Sequence, residues 1–249
     1  MNSLPLEGKV ALVTGGSRGI GAATARKLAA LGATVAINYR ANADAAHSVV
    51  GSVVSAGGVA RAYQADVTDP AAIEPLVSRV ASDFGRIDIL VNNVGVLGLR
   101  PLGQLDAAFF AEQFNGNVLS MVLMVQAVVP HFPPEGGKIV NLASRLAYSP
   151  VMPGSAFYAG AKAAVVAITQ AFARELGPRQ ITVNAVAPGT TETDMTSAML
   201  VERRKGIEAA TPLGRVAQPD DVADAVAFFA SHASRWITGR TVIVDGGMT

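Results

Sequence analysis

Apolar positions along the chain fall into short dense runs, separated by longer segments in which they recur every three or four residues. Lys9-Val10-Ala11-Leu12-Val13-Thr14 is a run with β-branched residues and predicts a buried strand. An amphipathic helix is expected over Ala22 to Leu31, then a strand over Ala33 to Asn38 and a helix over Ala41 to Ala56, ending at Gly57-Gly58. Val59 to Ala65 reads as a third strand. Asp69-Pro70 opens the next helix, Asp69 as cap and Pro70 as first helical residue, and Phe84-Gly85 closes it. Ile87 to Val91 is a fourth strand, broken by Asn92-Asn93-Val94-Gly95. One long apolar helix is expected over Asp106 to Val129, a fifth strand over Lys138 to Leu142, and an Ala-rich helix over Ala161 to Leu176. Ile181 to Val186 and Arg240 to Val244 complete the strands. Pro219 starts a last helix ending near Ser231, and the segment from Thr190 to Thr211 looks mobile. Strands alternating with helices at this spacing predict an α/β fold with a seven-stranded, doubly wound parallel sheet. No linker, charge block or internal repeat divides the 249 residues, so a single domain is expected over 1–249.

Composition narrows the classes. Half of the residues are hydrophobic and mean hydropathy is +0.36, but the excess is mostly Ala and Val. The richest stretch, Val118 to Val129, is broken by Ser120 and Gln126 and reads as a buried helix. No uninterrupted apolar run approaches the ~20 residues that span a bilayer. Met1 to Gly8 lacks a basic region followed by an apolar one, so no secretory signal is expected. The absence of cysteine excludes disulfides and thiolate metal sites and suits a reducing cytoplasm. A net charge of +1 offers no general reason to expect nucleic acid or anionic membrane as a partner. His47, His131 and His232 have no ligand spacing, so no metal is expected.

Chemistry concentrates at a few points. Tyr158 and Lys162 lie four apart, on one face of a helix. A free phenol is a poor acid or base at neutral pH, and a nearby ammonium would lower its pKa. The pair is an acid/base couple for a carbonyl or alcohol oxygen, or else an ordinary amphipathic pair with wet tips. Gly15-Gly16-Ser17-Arg18-Gly19-Ile20-Gly21 follows the first strand and precedes a helix. That turn brings backbone and free helix N–H groups close to a phosphate, although a glycine turn can also be only a turn. Sites that take NAD carry an acid about 20 residues on. Here Tyr39 stands eighteen residues after Gly21, and no Asp or Glu occurs from Gly8 to Ala43. Arg18 and Arg40 instead converge on that place and suit a 2′-phosphate, hence NADP; the alternative for Arg40 is a solvated loop charge. Asp66, Asn92, Asn93 and Gly95 fall at the carboxyl ends of strands, where ligands lie in such sheets, though either Asn could be a turn former. Asn117 inside a helix costs propensity; its plain reading is a buried amide bonded to backbone.

Taken in order, these stretches resemble the short-chain dehydrogenases/reductases of the Tyr-x-x-x-Lys type, from about Gly8 to Gly247. The matches are Thr14 to Gly21, Asp66-Val67, Asn92-Asn93-Val94-Gly95, Asn117, Ser144, Tyr158 with Lys162, Pro188-Gly189 to Thr193, and Asp245-Gly246-Gly247. Thr211 to Arg215 and Trp236 to Gly239 are similar to 3-oxoacyl-acyl-carrier-protein reductases. The resemblance implies a Rossmann-type domain in which Tyr158 gives a proton to a ketone oxygen as hydride arrives. Lys162 would lower the Tyr158 pKa and hold the nicotinamide ribose, Ser144 would orient the substrate oxygen, and Asn117 would hold a relay water. It implies that Thr14, Gly15, Ser17, Arg18, Gly19, Ile20, Gly21, Tyr39, Arg40, Asp66, Val67, Asn93, Gly95, Pro188, Gly189 and Thr193 border NADP.

Two departures stand out. Val94 replaces the family's Ala and should crowd the cofactor. The Ser144–Tyr158 gap is fourteen, longer than usual, with the extra residue expected near Ser149–Gly154 and Ser149 and Ser155 as rivals for the Ser144 role. The implied activity is NADPH-dependent reduction of a small-molecule or acyl-chain ketone, with loops 94–105 and 190–211 lining its pocket. The alternatives are a 3-oxoacyl-acyl-carrier-protein reductase, a non-catalytic NADP-binding redox sensor, or an NAD-linked dehydrogenase. A homotetramer is expected, since Asp106–Val129 and Ala161–Leu176 are apolar around more of their circumference than one sheet-facing stripe needs.

Overall fold

Seven strands form one all-parallel sheet in the computed structural model, which describes residues 4–249. They are β1 (Val10–Val13), β2 (Thr34–Tyr39), β3 (Val59–Gln64), β4 (Ile89–Asn92), β5 (Gly137–Leu142), β6 (Ile181–Pro188) and β7 (Thr241–Val244). Their order is β3-β2-β1-β4-β5-β6-β7. The winding reverses between β1 and β4, so a crevice opens where those two strands end. β1 and β4 are buried along their whole length because helices cover both faces, which is why they read as continuous apolar runs rather than alternating ones.

The helices are α1 (Gly19–Ala30), α2 (Ala43–Ser55), α3 (Pro70–Phe84), α4 (Ala107–Phe114), α5 (Ser120–Val128), α6 (Ala156–Leu176), α7 (Ser197–Ala210) and α8 (Pro219–Ala230). Successive strand residues point to opposite faces. Val13 and Val35 meet Leu28 of α1 and Val226 of α8 on one side. Leu12 and Ala36 meet Val77 of α3 and Met124 of α5 on the other. Asp69 caps α3 by accepting from Ala71 N at 3.0 Å, and Gly85 ends it in the left-handed conformation (φ 79°), as its sequence predicts. A cap of this kind contributes about 1 kcal/mol.

Three expectations need correction. The long helix over Asp106–Val129 is not one α-helix. Between α4 and α5 the chain widens into a π turn, Asn115–Leu119, which holds Asn117. Periodicity cannot register one extra residue in a turn, and such turns collect at functional sites. The segment from Thr190 to Thr211 is ordered and carries α7, a helix with only one buried residue, Leu200, and hence no strong apolar stripe to reveal it. The helix bearing Tyr158 begins at Ala156, five residues before its predicted start, because Gly160 is tolerated within it.

The apolar helical stretch Ala156–Arg179 is long enough by length and composition to cross a membrane, although no uninterrupted apolar run in the sequence is. Its charged positions, Lys162 among them, interrupt the run, and the helix packs along β6. Of the stretch read for a secretory signal, residues 1–3 lie outside the described residues.

Candidate active site

The glycine turn sits at the mouth of the crevice. Gly15 and Gly19 have φ of 61° and 52°, a region glycine enters without strain. At Gly21 a side-chain carbon would stand 2.6 Å from Asn93 Nδ2 and run into the Gly15 carbonyl, so α1 can press on the turn only without one. Arg18 is the N-cap of α1 but donates or accepts no side-chain capping bond, and no acid lies in the first turn. The first N–H groups of α1 therefore keep their positive end available to a phosphate.

Side chains from the neighbouring strand ends hold this turn. Thr14 Oγ1 accepts from Asn93 N at 3.0 Å and Val94 N at 3.2 Å. Asn93 Nδ2 donates to Thr14 O at 2.9 Å and Gly15 O at 3.1 Å. Asn38 Oδ1 accepts from Gly15 N at 3.3 Å, while its Nδ2 donates to Ala65 O at 3.0 Å. Thr14 and Asn93 thus act on a ligand through the backbone they fix. Asn38 joins β2, β3 and the glycine turn; its place beside Tyr39 was the only sequence signal for it. Val94 lies beside the turn, its Cγ2 3.0 Å from where a Gly15 side-chain carbon would sit.

Arg18 and Arg40 stand on the surface where a ribose phosphate would lie. Arg18 pairs with exposed Asp194 at 3.2 Å and Arg40 approaches Asp66 at 3.9 Å. Such exposed pairs hold little energy against a phosphate. Asp66 itself is braced by Thr68, whose N–H and hydroxyl donate to Oδ1 at 3.0 and 2.7 Å. Tyr39 and Val67 are buried, so only their backbones can face a ligand. Ser17 and Ile20 are half-buried in the turn, and Ile20 packs on the core. Across the crevice, Thr193 Cγ2 lies 3.2 Å from the side-chain position of Gly19, and Pro188-Gly189 ends β6 against Asp245. The glycine cradle, the uncapped helix and two arginines whose acidic partners are exposed fit a dinucleotide carrying a 2′-phosphate.

The acid/base pair lies beyond the end of β5. Ser144 follows that strand, is buried, and its Oγ accepts from Leu146 N at 3.2 Å. Tyr158 and Lys162 share one face of α6. Burial pushes the half-buried Tyr158 phenol above its ordinary pKa, and a hydrogen bond with Ser144 pulls it back. Ser144 is thus the serine beside Tyr158. Ser155 Oγ donates instead to Met152 O at 2.6 Å.

Lys162 does not depress the phenol as expected. Its Nζ donates to Leu142 O at 2.8 Å and lies 5.9 Å from the Tyr158 ring centre. Burial pushes Lys162 itself down to about 8. The ammonium is disfavoured by roughly 3 kcal/mol relative to water, taking 1.36 kcal/mol per pKa unit.

Asn117 converges on the same place. A side-chain carbon at Gly95 would be 2.8 Å from Asn117 Oδ1 and 3.1 Å from Lys162 Nζ. Asn117 grips the backbone: Nδ2 donates to Val96 O and Gln113 O at 2.8 Å each, and Oδ1 accepts from Val96 N at 3.2 Å. One lone pair of Oδ1 remains for a water.

Comparison with known proteins gives consistent matches. A family model described as Enoyl-(Acyl carrier protein) reductase matches residues 15–249. The chain is 44% identical over 246 residues to an uncharacterized oxidoreductase of Methylorubrum extorquens, covering 98% of both. It is 39% identical over 250 residues to a hydroxynaphthalene reductase of Aspergillus fumigatus, covering 95% of this chain and 91% of that one. Among solved structures, a short-chain dehydrogenase from Burkholderia cenocepacia in complex with NADP superposes with a TM-score of 0.92 at 43% identity, covering 98% and 99% of the two chains.

Proposed function

The chain belongs to the short-chain dehydrogenase/reductase family, and from that membership we propose that it is an NADPH-dependent reductase of small-molecule ketones. The observation that carries this reading is the gathering of Ser144, Tyr158, Lys162 and Asn117 beyond the end of β5, where Lys162 Nζ donates to Leu142 O at 2.8 Å and both Lys162 and Asn117 border Gly95. A bound NADPH supplies a hydride to the carbonyl carbon. Ser144 donates a hydrogen bond to the carbonyl oxygen and fixes its position, and Tyr158 gives that oxygen its phenolic proton as negative charge develops there. Lys162 places its charge beside the phenolate left behind. Asn117 positions a water that returns a proton toward Lys162. Arg18 and Arg40 hold the 2′-phosphate, and the turn from Gly15 to Gly21 seats the diphosphate. A protein that only sensed NADP would need none of the four groups at the oxygen. The test is a panel of ketones assayed with NADPH; no turnover on any of them would overturn the reading.

A carrier-bound acyl substrate ranks second. The family model's description favours it, yet an acidic carrier needs basic surface residues to meet it. Of Arg203-Arg204-Lys205, Arg204 is taken by Glu192 and Glu208, and Arg179 donates to Val129 O at 3.0 Å. Acetoacetyl groups on carrier protein and on a short thioester should therefore react at similar rates. A carrier advantage that vanished at high salt would reverse the ranking.

The pH profile should report Lys162. The ammonium is lost as pH rises through about 8, while the phenol stays protonated over that range. Reduction should therefore fall on the alkaline side, with its midpoint near pH 8 in kcat/KM, which reads the free enzyme. In Lys162→Arg the limb should disappear, because a guanidinium keeps its charge; a limb unchanged in that variant would reassign it.

Assembly follows from what stays exposed. Phe110 of α4 and Leu119 of the π turn stay exposed, as do Phe228 of α8, Val242 of β7 and Trp236 between those two elements, with Trp236 at 96% exposure. Two self-complementary faces generate a tetramer with twofold symmetry. Light scattering at micromolar concentration should give four copies, and a monomer would rule the interfaces out.

A further inference from the structure

We propose that Gln113, which the mechanism above does not use, is a positioning residue that latches the substrate loop over the acid/base pair; this rests on the ketone-reductase reading. The side chain is wholly buried on α4, one turn before Asn117. Its Oε1 accepts from Gly98 N at 3.0 Å, and its Nε2 has no partner among the described residues. An interior amide with an unpaired N–H group is costly, and a Leu there would avoid the cost. What the amide supplies in return is the one bond to Gly98.

Gly98 shows how closely the loop lies on the helix. A side-chain carbon there would stand 2.5 Å from Gln113 Nε2 and collide with the Phe109 ring. The loop is held at every second residue. Asn117 takes both backbone groups of Val96, Gln113 takes Gly98, and Arg100 N donates to Gly154 O at 3.0 Å. The Arg100 side chain adds an ion pair to Asp106 at 3.0 Å and lies 4.3 Å over Phe109. The chain reaches this latch directly from Gly95, beside Lys162, and Phe109 packs 5.8 Å from Phe157, the neighbour of Tyr158. Leu97 and Leu99, between the latched residues, are left to form an apolar wall for the substrate, with Leu99 48% exposed. Gln113 thereby sets how a bulky apolar ketone is seated without touching substrate or cofactor.

Two measurements on Gln113→Leu test this. Amide exchange in the substrate-free enzyme should speed up at 96–100, roughly tenfold or more, with α6 unchanged. KM for 2-tetralone should rise about tenfold, while kcat for ethyl acetoacetate and the affinity for NADPH stay within about twofold, since loop placement governs seating rather than proton transfer. Gln113→Glu keeps an accepting oxygen, and its burial favours the neutral form, so it should recover most of the exchange protection. Unchanged exchange in Gln113→Leu, or faster exchange with KM for 2-tetralone unmoved, would overturn the latch. A wild-type enzyme inactive on both ketones would instead sink the ketone-reductase reading, and the exchange data alone would then decide the latch.

Discussion

Tyr158→Phe is expected to lose at least ~10²-fold in kcat, the lower end for removal of a general acid, with NADPH affinity held within about twofold. The ring is kept and only the hydroxyl goes, so the packing of Phe157 of α6 against Phe109 of α4 is preserved. The phenol suits this task because of where it sits. Burial keeps it protonated, and Ser144, just beyond the end of β5, is its neighbour. Charge develops on the carbonyl oxygen only as reduction proceeds, and donors placed for it lower the barrier more than they tighten ground-state binding. Stopped-flow reduction with NADPH and direct titration of the cofactor separate the two effects. Wild-type turnover in the variant would remove Tyr158 from the role of acid. Weakened NADPH binding with normal single-turnover rates would make it a cofactor residue only.

The second large effect concerns cofactor choice. Wild-type enzyme should prefer NADPH over NADH, and Arg18→Ala/Arg40→Ala should narrow that preference by about 10²-fold, since a charge-assisted bond contributes about 1.5–3 kcal/mol and two are removed. No competing carboxylate stands at the end of β2, where Tyr39 turns inward and Arg40 outward. The exposed partners Asp194 and Asp66 hold the two guanidinium groups in the unliganded state and yield them easily. Selectivity should therefore fall through a loss of NADPH affinity, with the NADH rate nearly unchanged. Equal kcat/KM with both cofactors in the wild type would refute the assignment of these arginines.

Much of this was legible in the chain. Glycines at 15, 19 and 21 directly after a strand announce a turn that a ligand can approach, and the missing acid near Tyr39 indicates which dinucleotide. Four-residue spacing places Tyr158 and Lys162 together in any helix. What remained illegible depends on partners distant in sequence. Sequence places Ser144 directly after the fifth strand, but only the fold brings the end of β5 beside the start of α6, where Lys162 Nζ donates to Leu142 O. The sign of the Tyr158 shift could not be read, because burial acts on both members of the pair and outweighs their mutual attraction at the distance found.

Local periodicity and residue chemistry by themselves determined the alternation of strands and helices, the glycine turn after β1, the shared helical face of Tyr158 and Lys162, and the absence of an acid near Tyr39. These features follow from residues within one or two turns of each other, and backbone geometry converts such spacing into direction. Only the tertiary structure decided that Asn117 lies in a π turn gripping Val96, that Gln113 pins Gly98, and that Asn38 braces the glycine turn. A side-chain amide carries the same two polar atoms wherever it stands. Which backbone group it satisfies is set by the strand and loop that the winding of the sheet brings alongside it, and that placement is written in no single segment of the chain.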